Sequence, residues 1–241
     1  MTYRRDREIS GAPARPSFER QEETALLARL VLMQHPERSI SSAGAHVPPM
    51  PELPSLELFA HRLAAGPRRP SAGAAAALAV ALATDLLAQV AQRTLAWEGR
   101  GGVLAQADVL RERAIAGGGC VAVAYHYLVE SLDAAVADPT NPPDRTDLGE
   151  QLASAADVLL AIAETACDCA ALAVGVAQFG DTVVRADASA AAILAAGAAD
   201  MACHLIEVNL LASTEEERTD RARLLAHSAA ASRSAAIELT R

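Results

Sequence analysis

The sequence predicts an all-α protein: a multi-helix, up-and-down-type bundle with long helices. Three observations predict it. Alanine, the strongest helix former, occupies 57 of 241 positions. The β-branched and aromatic residues that a sandwich or barrel needs are sparse, with aromatics at 3%. Apolar residues also recur at helical spacing over long stretches separated by turn signals. The hydrophobic share of 51% is ample for a core, and the charged share of 21% is slightly low, which fits a chain that buries surface in an oligomer.

Residues 1–17 are polar and carry two prolines, so no element is expected there. A first amphipathic helix fits 18–34, where Leu26, Leu27, Leu30 and Leu32 follow a charged start. The stretch 35–53 is rich in Pro, Ser, Gly and His, a linker signature. This divides the chain into a polar N-terminal extension, 1–50, and a helical domain, 51–241. In the domain a short helix is expected over 55–65. A long one over 72–98 is opened by Pro70 and Ser71 and closed near Gly99. The next covers 102–137, and Gly117, Gly118 and Gly119 predict a break or kink in it. DPTNPPDR (138–145) is a loop, and Asp147 with Glu150 makes a capping box for a helix reaching 178. After the loop FGDTVVRAD a helix fills 188–211, and Ser213 with Glu216 caps a last one over 214–238. The total is six or seven helices and no sheet.

The charge pattern excludes several classes. A net charge of −9, with lysine absent and the only basic cluster at Arg4, Arg5 and Arg7, argues against a nucleic-acid partner. The N-terminus MTYRRDREIS has no apolar signal segment, so the four cysteines (Cys120, Cys167, Cys169, Cys203) are expected to be reduced, buried and cytoplasmic. No metal is expected, because the six histidines are scattered and no HExxH occurs. The apolar run 72–83 is interrupted by Asp85 and Gln89 before it reaches about 20 residues, so no membrane span is expected. No nucleophile–histidine–acid order, phosphate loop or nucleotide fingerprint appears.

Several residues stand out for chemistry, each with a structural reading beside it. Asp187 follows a loop and opens a helix, as a general acid/base would or as an N-cap would. Asp181 follows Gly180, where an aspartate also serves turns. Asp85 lies deep in an apolar helix, where a charge is costly unless paired or part of a site. Asp200, His204 and Glu207 share one helical face, suited to proton transfer or to a structural pair. Asn209 could bond a ligand amide or another helix, and Tyr125 could line a site or sit in the core with its hydroxyl bonded.

The order of motifs resembles the cyclodeaminase/cyclohydrolase family, which includes the cyclodeaminase half of formiminotransferase-cyclodeaminase and bacterial methenyltetrahydrofolate cyclohydrolases. The resemblance covers about 54–212. It is carried by PSLELFAHRLAAGPRRPSAGAAAALAVALATDLLAQVAQRT (54–94), Ala124-Tyr125, FGDTVVRADASAAA (179–192) and IEVNLL (206–211). Pro70, Gly73, Tyr125, Gly180, Asp187 and Asn209 match the family's pattern. Ser71-Ala72-Gly73 stands where relatives carry three glycines, Ala74 where they carry serine, Val80 where they carry glycine, and Asp181 where they carry asparagine. Added Cβ atoms narrow a backbone's approach to a ligand.

The resemblance implies an all-helical homodimer that acts on a folate one-carbon adduct, formimino- or methenyl-tetrahydrofolate, as a small-molecule substrate near the subunit interface. No tightly bound cofactor is expected; the tetrahydrofolate derivative is the substrate. Asp187, Asp181 and Tyr125 become the expected catalytic residues. Ser71, Gly73, Asp85, His204 and Asn209 become the expected substrate-binding residues. The alternatives are the same fold turned to another cyclisation, deamination or condensation in secondary metabolism, and a non-catalytic helical dimer.

Overall fold

A computed structural model describes residues 71–137, 145–210 and 216–241. It contains α1 (Ala72–Arg93), α2 (Arg100–Ala137), α3 (Arg145–Phe179), α4 (Ala186–Leu210) and α5 (Glu216–Leu239). No strand occurs among the described residues. The helices expected over 18–34 and 55–65, the linker, and Pro70 and Ser213 lie outside the described residues.

Close contacts set the direction of each helix. Cβ atoms built at Gly73 and Gly180 would meet Leu159 of α3 and Val90 of α1, so α1 and α3 run parallel with a constant offset. Gly118 against Ala77 and Gly73 against Val121 make α2 antiparallel to α1. Arg218–Asp157 and Arg221–Glu164 set α5 parallel to α3. The short turn 180–185 sends α4 back antiparallel to α3. The bundle therefore goes up and down five times, as the sequence predicts. Helix α3 sits centrally: α1, α2, α4 and α5 all pack on it, and α1 also packs on α2 and α4.

The core is mostly alanine. Ala76, Ala83, Ala163, Ala170, Ala191, Ala195 and Ala199 are fully buried around a few larger side chains, Leu87, Ile162, Ile206, Val80 and Val176. Small side chains bring helix backbones close together. The glycine triplet in α2 is an extreme case and does not break the helix, for α2 is continuous over 38 residues. A Cβ at Gly117 would lie 3.0 Å from Ile162 Cγ1, and one at Gly118 would lie 3.2 Å from Ala77 Cβ. Successive helical residues point about 100° apart. The two glycines thus let α2 approach α3 and α1 together, which offsets their propensity cost of about 1 kcal/mol each.

Other boundaries shift for local reasons. Helix α1 stops at Arg93, five residues before the expected end. The Thr94 hydroxyl donates to the Val90 carbonyl (2.8 Å), and turns fill 95–99. Helix α3 starts at Arg145, so Asp147 lies in its first turn instead of capping it. There it faces the positive end of the helix dipole. Ser71 does cap α1, accepting from the Ala74 amide at 3.3 Å.

Asp157, Glu164 and Asp168 form one stripe along α3, and arginines from both flanking helices take them. Arg113 of α2 holds Asp168 at 2.9 Å, Arg221 of α5 holds Glu164 at 3.4 Å, and Arg218 of α5 grips Asp157 twice, at 2.6 and 3.1 Å. These pairs are solvent-exposed, so each contributes little. Arg218→Ala should lower stability by about 0.5–1 kcal/mol in a denaturant titration at low salt. The difference should vanish near 1 M salt, where screening is short-ranged.

The thiols correct one expectation. All four are free, but Cys120 is exposed and Cys167 half-buried; only Cys169 and Cys203 are buried. Burial, aided by the neighbouring Asp168 carboxylate, pushes the Cys169 thiol up to about 12. At pH 8 Cys169 is therefore neutral and unreactive. A chromogenic disulfide reagent should titrate Cys120 first and reach Cys169 only after unfolding.

Two features concern surfaces. By length and composition, Ala72–Arg93, Thr146–Phe179 and Ala186–Leu210 are apolar and long enough to cross a membrane, so Asp85 and Gln89 do not interrupt α1 in the way expected. Alanine accounts for this, since it counts as apolar while filling helix contacts; between 44% and 56% of each stretch is buried within the bundle. On α1 and α4, which pack together, Leu82, Ile193, Leu194 and Met201 are exposed and Leu86 is half-buried, so two adjacent helices each present large apolar side chains to the surface.

Candidate functional site

The expected site residues fall at two ends of the bundle. Ser71 caps the start of α1 and Gly73 follows it. Val121 of α2 faces Gly73, and Tyr125 lies one turn further along, at the same end. Asn209 is in the last turn of α4, with His204 five residues earlier, and α4 runs back toward this end. Asp181 and Asp187 are at the other end, where α3 turns into α4. The 22 residues of α1 separate the two groups, about 33 Å at 1.5 Å per residue. Asp85 lies between them, held by Arg111 at 3.2 Å and exposed.

At the Ser71 end, burial governs the geometry. Ser71 is buried, with its hydroxyl spent on the helix cap. A Cβ on Gly73 would come 2.8 Å from both Leu159 Cδ2 and Val121 Cγ2. Within one protomer, this glycine makes room for neighbouring helices. Tyr125 and Asn209 are half-buried and His204 is exposed. Glu207, expected to work with His204, is held by Arg223 at 2.8 Å.

The other end is a pair of linked loops. Thr94 ties them, because its hydroxyl also accepts from the Asp181 amide at 2.9 Å. Asp181 bends its own turn: its carboxylate accepts from the Val183 amide at 2.9 Å, and its carbonyl from Val184 and Arg185. A Cβ on Gly180 would lie 2.6 Å from the Val176 carbonyl and 2.8 Å from Val90 Cγ1, so glycine is needed there for space. Asp187 sits half-buried in the first turn of α4, and its amide donates to Val184. Among the described residues its carboxylate carries no ion pair, whereas those of Asp85, Asp157, Asp168 and Asp220 do.

Trp97 and Phe179 stack across these loops with centroids 5.6 Å apart. Thr94, Trp97 and Phe179 were not singled out from the sequence. The available signals were the solitary tryptophan and the threonine closing α1's motif. No group of metal-ligating side chains assembles among the described residues.

The formiminotransferase-cyclodeaminase family model matches residues 55–227. Among solved structures, the chain is similar to formiminotetrahydrofolate cyclodeaminase from Thermotoga maritima. The TM-score is 0.69 and the identity 16%, over 78% of this chain and 96% of that one. At that identity the likeness is one of fold. No curated protein matches the sequence. The match over most of the chain, with the five-helix order and the glycine-to-aspartate loop it contains, establishes that this chain belongs to the formiminotransferase-cyclodeaminase family.

Proposed function

We propose that the protein is a cyclodeaminase- or cyclohydrolase-type enzyme that acts on a one-carbon adduct of tetrahydrofolate, with Asp187 as its proton-handling group. The family match over 55–227 carries this reading. In ring closure of a formimino adduct, the exocyclic amine nitrogen of the folate attacks the formimino carbon, its proton passes to the imino nitrogen, and the bond from that carbon to the imino nitrogen breaks to release ammonia. A carboxylate free of other partners can take the proton from the attacking nitrogen and return it to the departing one. Among the described residues Asp187 is such a group; Asp181, bound into its own turn, serves better as a scaffold.

The same reading includes a cytoplasmic homodimer, formed through the apolar α1–α4 face. Exposed Leu82, Ile193, Leu194 and Met201 support it, since contiguous patches of this kind mark interfaces. A two-fold axis perpendicular to α1 would bring the Asp187 end of one protomer opposite the Ser71 end of its partner. The two halves of the expected residue set would then meet. Sedimentation equilibrium should give twice the 25.0 kDa chain mass; a monomer would remove this part of the reading.

One observation favours the second reading, the same fold used on another small molecule. Gly73 is enclosed by Leu159 and Val121 and follows Ser71 and Ala72, so little backbone is open to a ligand there. The deciding experiment follows the near-ultraviolet absorbance of 5,10-methenyl-tetrahydrofolate and ammonia release from 5-formimino-tetrahydrofolate. Acceleration of either over buffer is expected. If the protein accelerates neither, the folate reading fails and the second one stands.

A further inference from the structure

We infer that Trp97 and Phe179 form a flat-ring subsite at the same end of the bundle as Asp187, which takes a planar heteroaromatic ring joined to an anionic tail. The identification of that ligand as a reduced folate rests on the reading above; the subsite itself rests on three local observations.

The first is the stack. The two rings lie 29° from parallel at 5.6 Å, within the range of favourable aromatic pairs. Trp97 is half-buried and pressed onto its own loop: a Cβ on Gly99 would lie 2.7 Å from the indole Nε1. Its position is thereby fixed. Phe179 is 54% exposed, leaving part of its ring open to a further planar group.

The second is the surrounding apolar surface. Leu95 is 75% and Val183 87% exposed, on the same two loops. Thr94 joins these loops through the Asp181 amide. Single exposed apolar side chains need no explanation, but three large ones (Leu95, Phe179 and Val183) around two linked loops do.

The third is charge. Arg111, Arg113, Arg218, Arg221 and Arg223 each hold a carboxylate. Arg93, Arg100, Arg185, Arg233 and Arg241 hold none among the described residues; the first three end α1, open α2 and lie in the turn before α4, so they flank these loops. The Arg100 amide donates to the Trp97 carbonyl, and Arg185 Cβ would lie 3.5 Å from a Cβ on Gly180. The nearby acids are Glu98, Asp181 and Asp187, with Asp181 occupied by the Val183 amide. Three arginines that hold no carboxylate among the described residues, flanking an exposed ring, suit a ligand that offers a stacking face and carboxylates.

Trp97 is the chain's single tryptophan, so its emission reports directly on the subsite. The test titrates 5-formyl-tetrahydrofolate into the full chain, with Trp97 fluorescence and calorimetry read in parallel. Quenching that tracks the calorimetric isotherm is expected. Phe179→Leu, at an exposed position where the fold is insensitive, should weaken binding about five- to tenfold, as should Arg185→Gln. Binding by calorimetry without quenching, and with Phe179→Leu unchanged, overturns the subsite and leaves the folate reading standing. No binding at all overturns both. Emission that changes with protein concentration and not with ligand makes the stack a subunit contact and also overturns the proposal.

Discussion

Replacing Leu87 by alanine should destabilise the protein by about 2–5 kcal/mol. For a domain of this size that corresponds to a fall in Tm of about 5–15 °C. Leu87 is fully buried in α1 and is among the largest such side chains. The cost should lie toward the upper end, for a reason specific to this composition. A cavity is relieved when neighbouring side chains swing into it, and alanine has no rotamer with which to do so. The surrounding core is largely alanine and glycine on rigid helices, so the void should persist. Leu82→Ala, five residues earlier but exposed, should change the stability of the isolated protomer by less than about 0.5 kcal/mol. Thermal unfolding followed by circular dichroism at 222 nm distinguishes these outcomes; equal effects would refute the alanine-framework account of the core.

Replacing Asp187 by asparagine should lower turnover of the one-carbon folate substrate by about 10²–10⁴-fold, the usual contribution of a general acid/base. The helical circular dichroism should be unchanged, because asparagine is accommodated at a helix start and the side chain holds no ion pair among the described residues. Asp181→Asn should lose far less. Its carboxylate bonds only the Val183 amide among the described residues, and an amide oxygen can accept the same hydrogen bond. Relatives in the resemblance carry asparagine at that position. Steady-state kinetics on both variants separates a chemical role from a scaffolding one. Equal losses would shift the chemistry to the loop as a whole; no loss at Asp187 would assign it to another group.

Much of the fold was legible because its determinants are local. Alanine content and apolar period fall within a few residues of one another along the chain, and Ser71 caps α1 as its sequence position suggests. Gly117–Gly119 were not legible. Glycine inside a helix signals weakness until the neighbour that needs the space is known, here Ile162 and Ala77, which lie tens of residues away. The early stop at Arg93 was missed for a similar reason, since Thr94 is held by Asp181, 87 residues on.

The candidate site divides along the same line. Sequence alone identified the family, and it singled out the carboxylate-bearing loop and Asp187 as candidates, because motif order along a chain survives without coordinates. It could not tell that Ser71 and Asp187 stand a helix length apart. Axial register between helices depends on contacts between residues distant in sequence, and in this bundle those contacts are made by alanine and glycine, whose small size carries no pairing signal. Nor could it bring Trp97 to Phe179, 82 positions later, or leave Arg93, Arg100 and Arg185 near them without a carboxylate among the described residues. The residues were all visible in the chain; which of them share an end of the bundle was decided by tertiary packing.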